Sequence, residues 1–174
     1  PVQVDSHQTG GGTRYSVIFE KKALATLARH NLSYAQHMQV MDQAKDLNMR
    51  PVSVSVVSSG GDRRYTVLYQ QQNVGSWTVS SQLTAAAYQN KVNSELAAGR
   101  RPIYLNSYVH QGVVNYTAVF SQLPQMSWGA KHGQTAAQLQ TQFNNFSAQG
   151  YLTDVIAGVD GLNQHNFGGI WTKN

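Results

Sequence analysis

The stretch PVSVSVVSSGGDRRYTVLYQ, Pro51 to Gln70, reads as two strands joined by a tight turn. Val52, Val54 and Val56 alternate with Ser53, Ser55 and Val57, the period-two pattern of a strand with one buried face. Gly60-Gly61-Asp62 follows, and residues that tolerate positive φ are what a hairpin turn requires. The chain then returns from Arg64 to Gln70 with Tyr65, Val67 and Tyr69 on one side and Thr66 and Leu68 on the other. The aromatic side is the expected core face.

Working outward, the same pattern recurs at a period of about fifty-one residues, the range in which repeats are supersecondary units that share a core with their neighbours. Pro51–Arg101 lies over Pro102–Leu152 without a gap, setting Tyr65 on Tyr116, Trp77 on Trp128, Thr84 on Thr135 and Gly99 on Gly150. Pro1–Arg50 follows the plan with one deletion between Tyr15 and Asn31, and a fourth copy opens at Thr153. The core-face triplets are Tyr15, Val17, Phe19; Tyr65, Val67, Tyr69; Tyr116, Ala118, Phe120; and Phe167, Gly169, Trp171.

After each of the first three hairpins comes a polar connection and then a helix. Its expected caps are Ser33, Thr84 and Thr135, because a hydroxyl can accept from the free amides of a first helical turn. Helical spacing shows in Met38, Met41, Ala44 and Leu47, in Tyr88, Val92 and Leu96, and in Leu139, Phe143 and Phe146. Gly99 and Gly150 stand where helices stop in the left-handed conformation, and Asn48 takes that place in the first copy. The expected fold is therefore α+β and a single repeat-built domain over 1–174, with units 1–50, 51–101, 102–152 and a partial 153–174. Each unit is a hairpin followed by a helix, which gives four hairpins and three helices, with each helix packed beside the following hairpin. On this division the last hairpin lacks a helix and has to be covered by the first unit, by another chain or by a missing segment, so a homo-oligomer is among the expectations.

Arg50-Pro51-Val52-Ser53-Val54-Ser55, Arg63-Arg64-Tyr65-Thr66-Val67-Leu68-Tyr69 and Gly150-Tyr151 resemble the bacterial tandem repeat domain family. Related repeats form the N-terminal part of fungal polyglycine hydrolases. The resemblance covers essentially the whole chain and implies a recognition role beside a β-lactamase-like serine hydrolase domain. Leu27 near the tryptophan position and Thr153 at the proline position depart from the pattern, as end units commonly do. No serine is followed by lysine at the Ser-x-x-Lys spacing and Gly-x-Ser-x-Gly is missing, so that hydrolase chemistry maps onto no residue of this chain.

Other chemistries find equally little. His30 and His37 have no carboxylate to complete a metal set, Asp42 and Asp46 share a polar helical face, and Gly10-Gly11-Gly12 precedes a strand where phosphate cradling needs a helix. No catalytic residue, metal or cofactor is expected. The chain carries a net charge of +5, yet only 12% of residues are charged and basic residues run no longer than pairs, which argues against a specific nucleic-acid reader. No apolar run is long enough for a transmembrane segment. The absence of cysteine excludes a disulfide framework and thiolate metal sites, and the opening proline and the sequons at Asn31, Asn115 and Asn145 fit a secreted glycoprotein.

The expected function is a non-catalytic, lectin-like extracellular module that binds carbohydrate or a protein surface through equivalent sites, one per unit. Asp5, His7, Asn106 and Tyr108, which alternate away from the expected core on the first strands, are the candidate ligand contacts, since rings can lie under a sugar and polar groups can take its hydroxyls. Trp77 and Trp128 join them if exposed, although their recurrence before the helix also fits packing under the connection. The alternative is the substrate-recognition part of a serine hydrolase.

Overall fold

The computed structural model describes residues 1–72, 75–123, 126–161 and 164–173. A lone hairpin, β1 (Gln3–Thr9) and β2 (Gly12–Ile18), comes first. Three strand–helix–hairpin units follow. The first runs β3 (Thr26–Leu32), α1 (Tyr34–Asp46), β4 (Met49–Ser59) and β5 (Asp62–Gln71); the second β6 (Trp77–Leu83), α2 (Ala85–Ala97), β7 (Arg101–His110) and β8 (Val113–Ser121); the third β9 (Ser127–Gln134), α3 (Ala136–Ala148), β10 (Leu152–Gly161) and β11 (Gln164–Lys173).

The local signals act as their chemistry dictates. Gly60 and Gly61 turn at φ 60° and 85°, and the side chains of Ser33, Thr84 and Thr135 accept from Gln36 N, Ala87 N and Gln138 N at the three helix starts. Asn48, Gly99 and Gly150 take positive φ just beyond the helix ends.

The connections are where the expected layout needs correction. Each polar stretch before a helix is a third strand, and it pairs with the return strand of the hairpin that follows. The sheets are ordered β3-β5-β4, β6-β8-β7 and β10-β11-β9. The unit is therefore strand, helix, hairpin, a phase different from hairpin followed by helix. The last hairpin has its own helix, since α3 packs on β11, β10 and β9, and the expected reason for self-association falls away. It is the first hairpin that has neither third strand nor helix. Tyr15, Val17 and Phe19, expected in the core, are exposed for that reason.

In the first two units equivalent residues meet in equivalent ways. His37 of α1 stacks on Tyr65 with ring centroids 4.7 Å apart, and Tyr88 of α2 stacks on Tyr116 at 5.4 Å. In the third unit Phe146 stacks on Trp171 at 4.7 Å, and Gly129 has no room for a Cβ beneath the Phe146 ring. Glu95, aligned with Ala44 and Phe146, is a buried carboxylate in this row. Burial would raise it, but Lys91 at 2.6 Å and Arg100 outweigh that and hold it below its ordinary value.

The hairpins' first strands line up side by side, β1 against β4, β4 against β7 and β7 against β10. One core joins Tyr65, Val67 and Tyr69 to Tyr108 and Val119 of the next unit, and a second joins Tyr116 and Phe120 to Ala157 and Ile170. β4 is consequently buried on both faces, Val54, Ser55, Val56 and Val57 alike, where the alternation had implied one.

Candidate binding groove

The four first strands belong to different sheets, so no backbone ladder joins them, and side chains bridge the seams instead. Asp5, Ser55, Asn106 and Ala157 occupy equivalent positions in the repeat. The Ser55 hydroxyl donates to Asp5 Oδ1 at 2.7 Å and accepts from Ser6 N at 3.0 Å. The amide of Val56 donates to Asn106 Oδ1 at 3.0 Å, and Ser58 Oγ meets His110 Nδ1 at 2.9 Å. These bonds satisfy groups that would otherwise be buried alone between units.

Two cavities lie along the seam, of about 390 and 380 Å³. Both are lined by all four first strands and they share Asp5, Asn106 and Gly158, so they form one groove. Gln3, Tyr104 and Asp154 line the first, His7, Tyr108 and Asp160 the second. Burial, with the Asp5 carboxylate adding to it, pushes the Tyr104 phenol up, so it is a neutral hydrogen-bonding group. Among the described residues neither cavity is lined by lysine or arginine, although the chain as a whole is cationic. The groove is rich in carboxylate and amide acceptors, suited to hydroxyl or N–H donors on a ligand.

Of the candidate contacts, Asp5, His7, Asn106 and Tyr108 are brought together here. Asp5 and Asn106 also brace the strands. Tyr108 is 4% exposed and belongs to the core, so it presents no free ring face. The tryptophans lie elsewhere. Trp77 is partly buried against the core, with Tyr69 at 6.3 Å and Lys45 Nζ 5.9 Å above its ring. Trp128 lines a separate, shallower cavity of about 530 Å³ beside Arg100 and Arg101. Tyr104, Gln3 and Asp154 were not anticipated; the polar column Asp5, Ser55, Asn106 was the available signal, because polar groups recurring in register between buried neighbours need partners.

Among the sequons, Asn31 and Asn145 are exposed, whereas the Asn115 side chain is buried and donates to Val113 O at 2.9 Å. Among the described residues no cluster of three or more His, Asp or Glu could hold a metal ion, and no helix is long and apolar enough to cross a membrane.

The repeat phase seen in the sheets has an independent counterpart. Residues 1–22, 23–72, 74–123 and 125–174 each match the family described as polyglycine hydrolase-like, structural repeat. The chain belongs to that family. The matched boundaries coincide with the lone hairpin and the three strand–helix–hairpin units, and the first match covers a hairpin alone. No curated protein matches the chain.

Proposed function

We propose that this repeat protein is a non-catalytic binding module that receives an extended oligosaccharide along the groove between β1, β4, β7 and β10. The observation that carries the reading is the pair of adjoining cavities lined by all four units, each within the volume range of small-ligand sites. Asp5, Asp154 and Asn106 would accept from sugar hydroxyls, and Val2, Ile103 and Val155 would contact the apolar edges of the rings. One composite site is favoured over one site per unit, because each unit contributes a single strand to the same groove. Export, with glycans on the exposed Asn31 and Asn145, belongs to the same proposal.

The family's description favours a second reading, in which the groove holds a polypeptide for a serine hydrolase partner domain. Calorimetric titration of the chain with a panel of neutral oligosaccharides and with a glycine-rich peptide separates the two. The first reading expects saturable binding of an oligosaccharide, weakened at least about tenfold by Asp154→Asn with an unchanged melting temperature. Binding of the peptide alone favours the second, and binding of neither sinks both.

A further inference from the structure

Arg50 and Arg101 hold the same repeat position, directly before Pro51 and Pro102, and differ in what answers their guanidinium groups. Arg50 Nη2 donates to Gln72 Oε1. In the next unit Leu123 stands where Gln72 does, and a leucine accepts nothing. Arg101 Nη2 accordingly meets a thioether, Met126 Sδ at 2.8 Å. Nε is buried without a hydrogen-bond partner in both arginines, so the contrast between them rests on the missing amide oxygen. Among the described residues neither arginine is in a salt bridge, and Asp154 acts on Arg101 through space alone. An arginine keeps its charge at any working pH, so this one calls for an oxygen acceptor that the chain does not supply.

The tryptophan's setting changes with it. Lys45 Nζ sits 5.9 Å over the Trp77 ring, and at the equivalent place beside Trp128 there is Leu96. Arg100, Arg101, Leu96, Leu123, Met126 and Trp128 line the cavity of about 530 Å³, and among the described residues no aspartate or glutamate does. Glu95 is held by Lys91 and Arg100, and Arg100 Nη1 also donates to Ser76 Oγ at 3.2 Å. The carbonyls at the end of α2, whose dipole would oppose an anion, are occupied. Leu96 O accepts from Gly99 N at 3.0 Å and Glu95 O from Arg100 N at 2.9 Å.

We propose that this cavity is a second binding site, for a sugar ring that bears a carboxylate: a uronic-acid residue of an oligosaccharide. The carboxylate takes at Arg101 the part that Gln72 Oε1 plays at Arg50, reaching Nε and Nη2 as a two-point pair once the unbranched Met126 side chain gives way. The ring lies against Trp128, Leu96 and Leu123, an aromatic and apolar wall for the C–H face of a sugar. The volume is within the range of small-ligand sites. This site shares no lining residue with the groove, and its assignment does not depend on what the groove binds.

The test is calorimetric titration of the whole chain with a trimer of galacturonic acid and with the corresponding neutral galactose trimer. The expected result is one-to-one binding of the uronate trimer that persists in an excess of the neutral one and weakens as salt is added. Leu123→Gln, which copies the earlier unit and supplies the acceptor internally, should weaken it at least about tenfold with an unchanged melting temperature, and Arg101→Met should do the same. No uronate binding overturns the proposal. Displacement of the uronate by the neutral trimer overturns it as well, because a neutral sugar would then be filling the same site. Uronate binding that survives both substitutions places the carboxylate elsewhere and is equally fatal.

Discussion

Tyr15-Ser16-Val17-Ile18-Phe19 and Tyr65-Thr66-Val67-Leu68-Tyr69 are nearly the same pentapeptide, and their surroundings are opposite. Both are followed by a connection and both pair with a first strand in the same antiparallel sense. The second is sealed by β3 on its edge and α1 on its face, whereas the first has neither a third strand nor a helix of its own and only the Tyr15 ring meets a neighbour, His30 at 5.0 Å. Strand propensity and hairpin chemistry make the element, but the preceding strand and helix make it a core. Burial of the aromatic strand face here belongs to the complete strand–helix–hairpin unit rather than to the hairpin itself.

The comparison breaks most visibly under truncation of a matched pair. Tyr69→Ala should cost about 4 kcal/mol, in the range for large aromatic truncations in a core. Phe19→Ala should stay within about 0.5 kcal/mol, as surface changes do. Urea unfolding of the two variants checks this, and equal losses would show that the first hairpin is covered in solution.

A somewhat smaller effect follows from His37, the buried imidazole against Tyr65. Burial lowers it from 6.5 to about 4, so in that interval the unfolded chain takes up a proton that the folded chain refuses. Its contribution to stability is complete above pH 6.5 and is lost as pH falls toward 4, by roughly 3 kcal/mol. His37→Phe should remove that share of the acid sensitivity in unfolding curves measured across the interval. Burial lowers His110 and His132 in the same direction, and their share should persist in the variant.

The smallest expected effect sharpens the role of the covering helix. Ser33 and Gln36 form a reciprocal capping box at the start of α1, and Ser33→Ala should cost about 1 kcal/mol. Because α1 covers β5 and leaves β2 bare, amide exchange should quicken at Tyr65–Tyr69 in that variant and stay unchanged at Tyr15–Phe19.

Much of this was legible in the sequence, and the failures have a common cause. The period, the hairpin turns at Gly60-Gly61, the three caps and the stops at Asn48, Gly99 and Gly150 are local chemistry, and each carries a residue-level signature. The third strands were missed because they form sheet edges. Trp77-Thr-Val-Ser-Ser-Gln-Leu83 and Ser127-Trp-Gly-Ala-Lys-His-Gly-Gln134 are half-polar, and a positive φ at Gln82 and Gly133 interrupts their alternation before the helix. Missing them put the unit boundary at the proline, and that error assigned the bare hairpin to the wrong end. The groove was half legible. Asp5 and Asn106 stand out as polar residues in a recurring column, while Tyr104 and Asp154 flank the bulges at Pro102/Tyr104 and Thr153/Val155, where strict alternation no longer tells which way a side chain faces.

Residue-resolved amide hydrogen exchange on the intact chain tests most directly whether the strand–helix half of each unit seals the hairpin behind it. The account predicts that the β2 amides not bonded to β1 exchange close to the unprotected rate, while those of β5, β8 and β11 are slowed on both edges. Equal protection along β2 and β5 would contradict it.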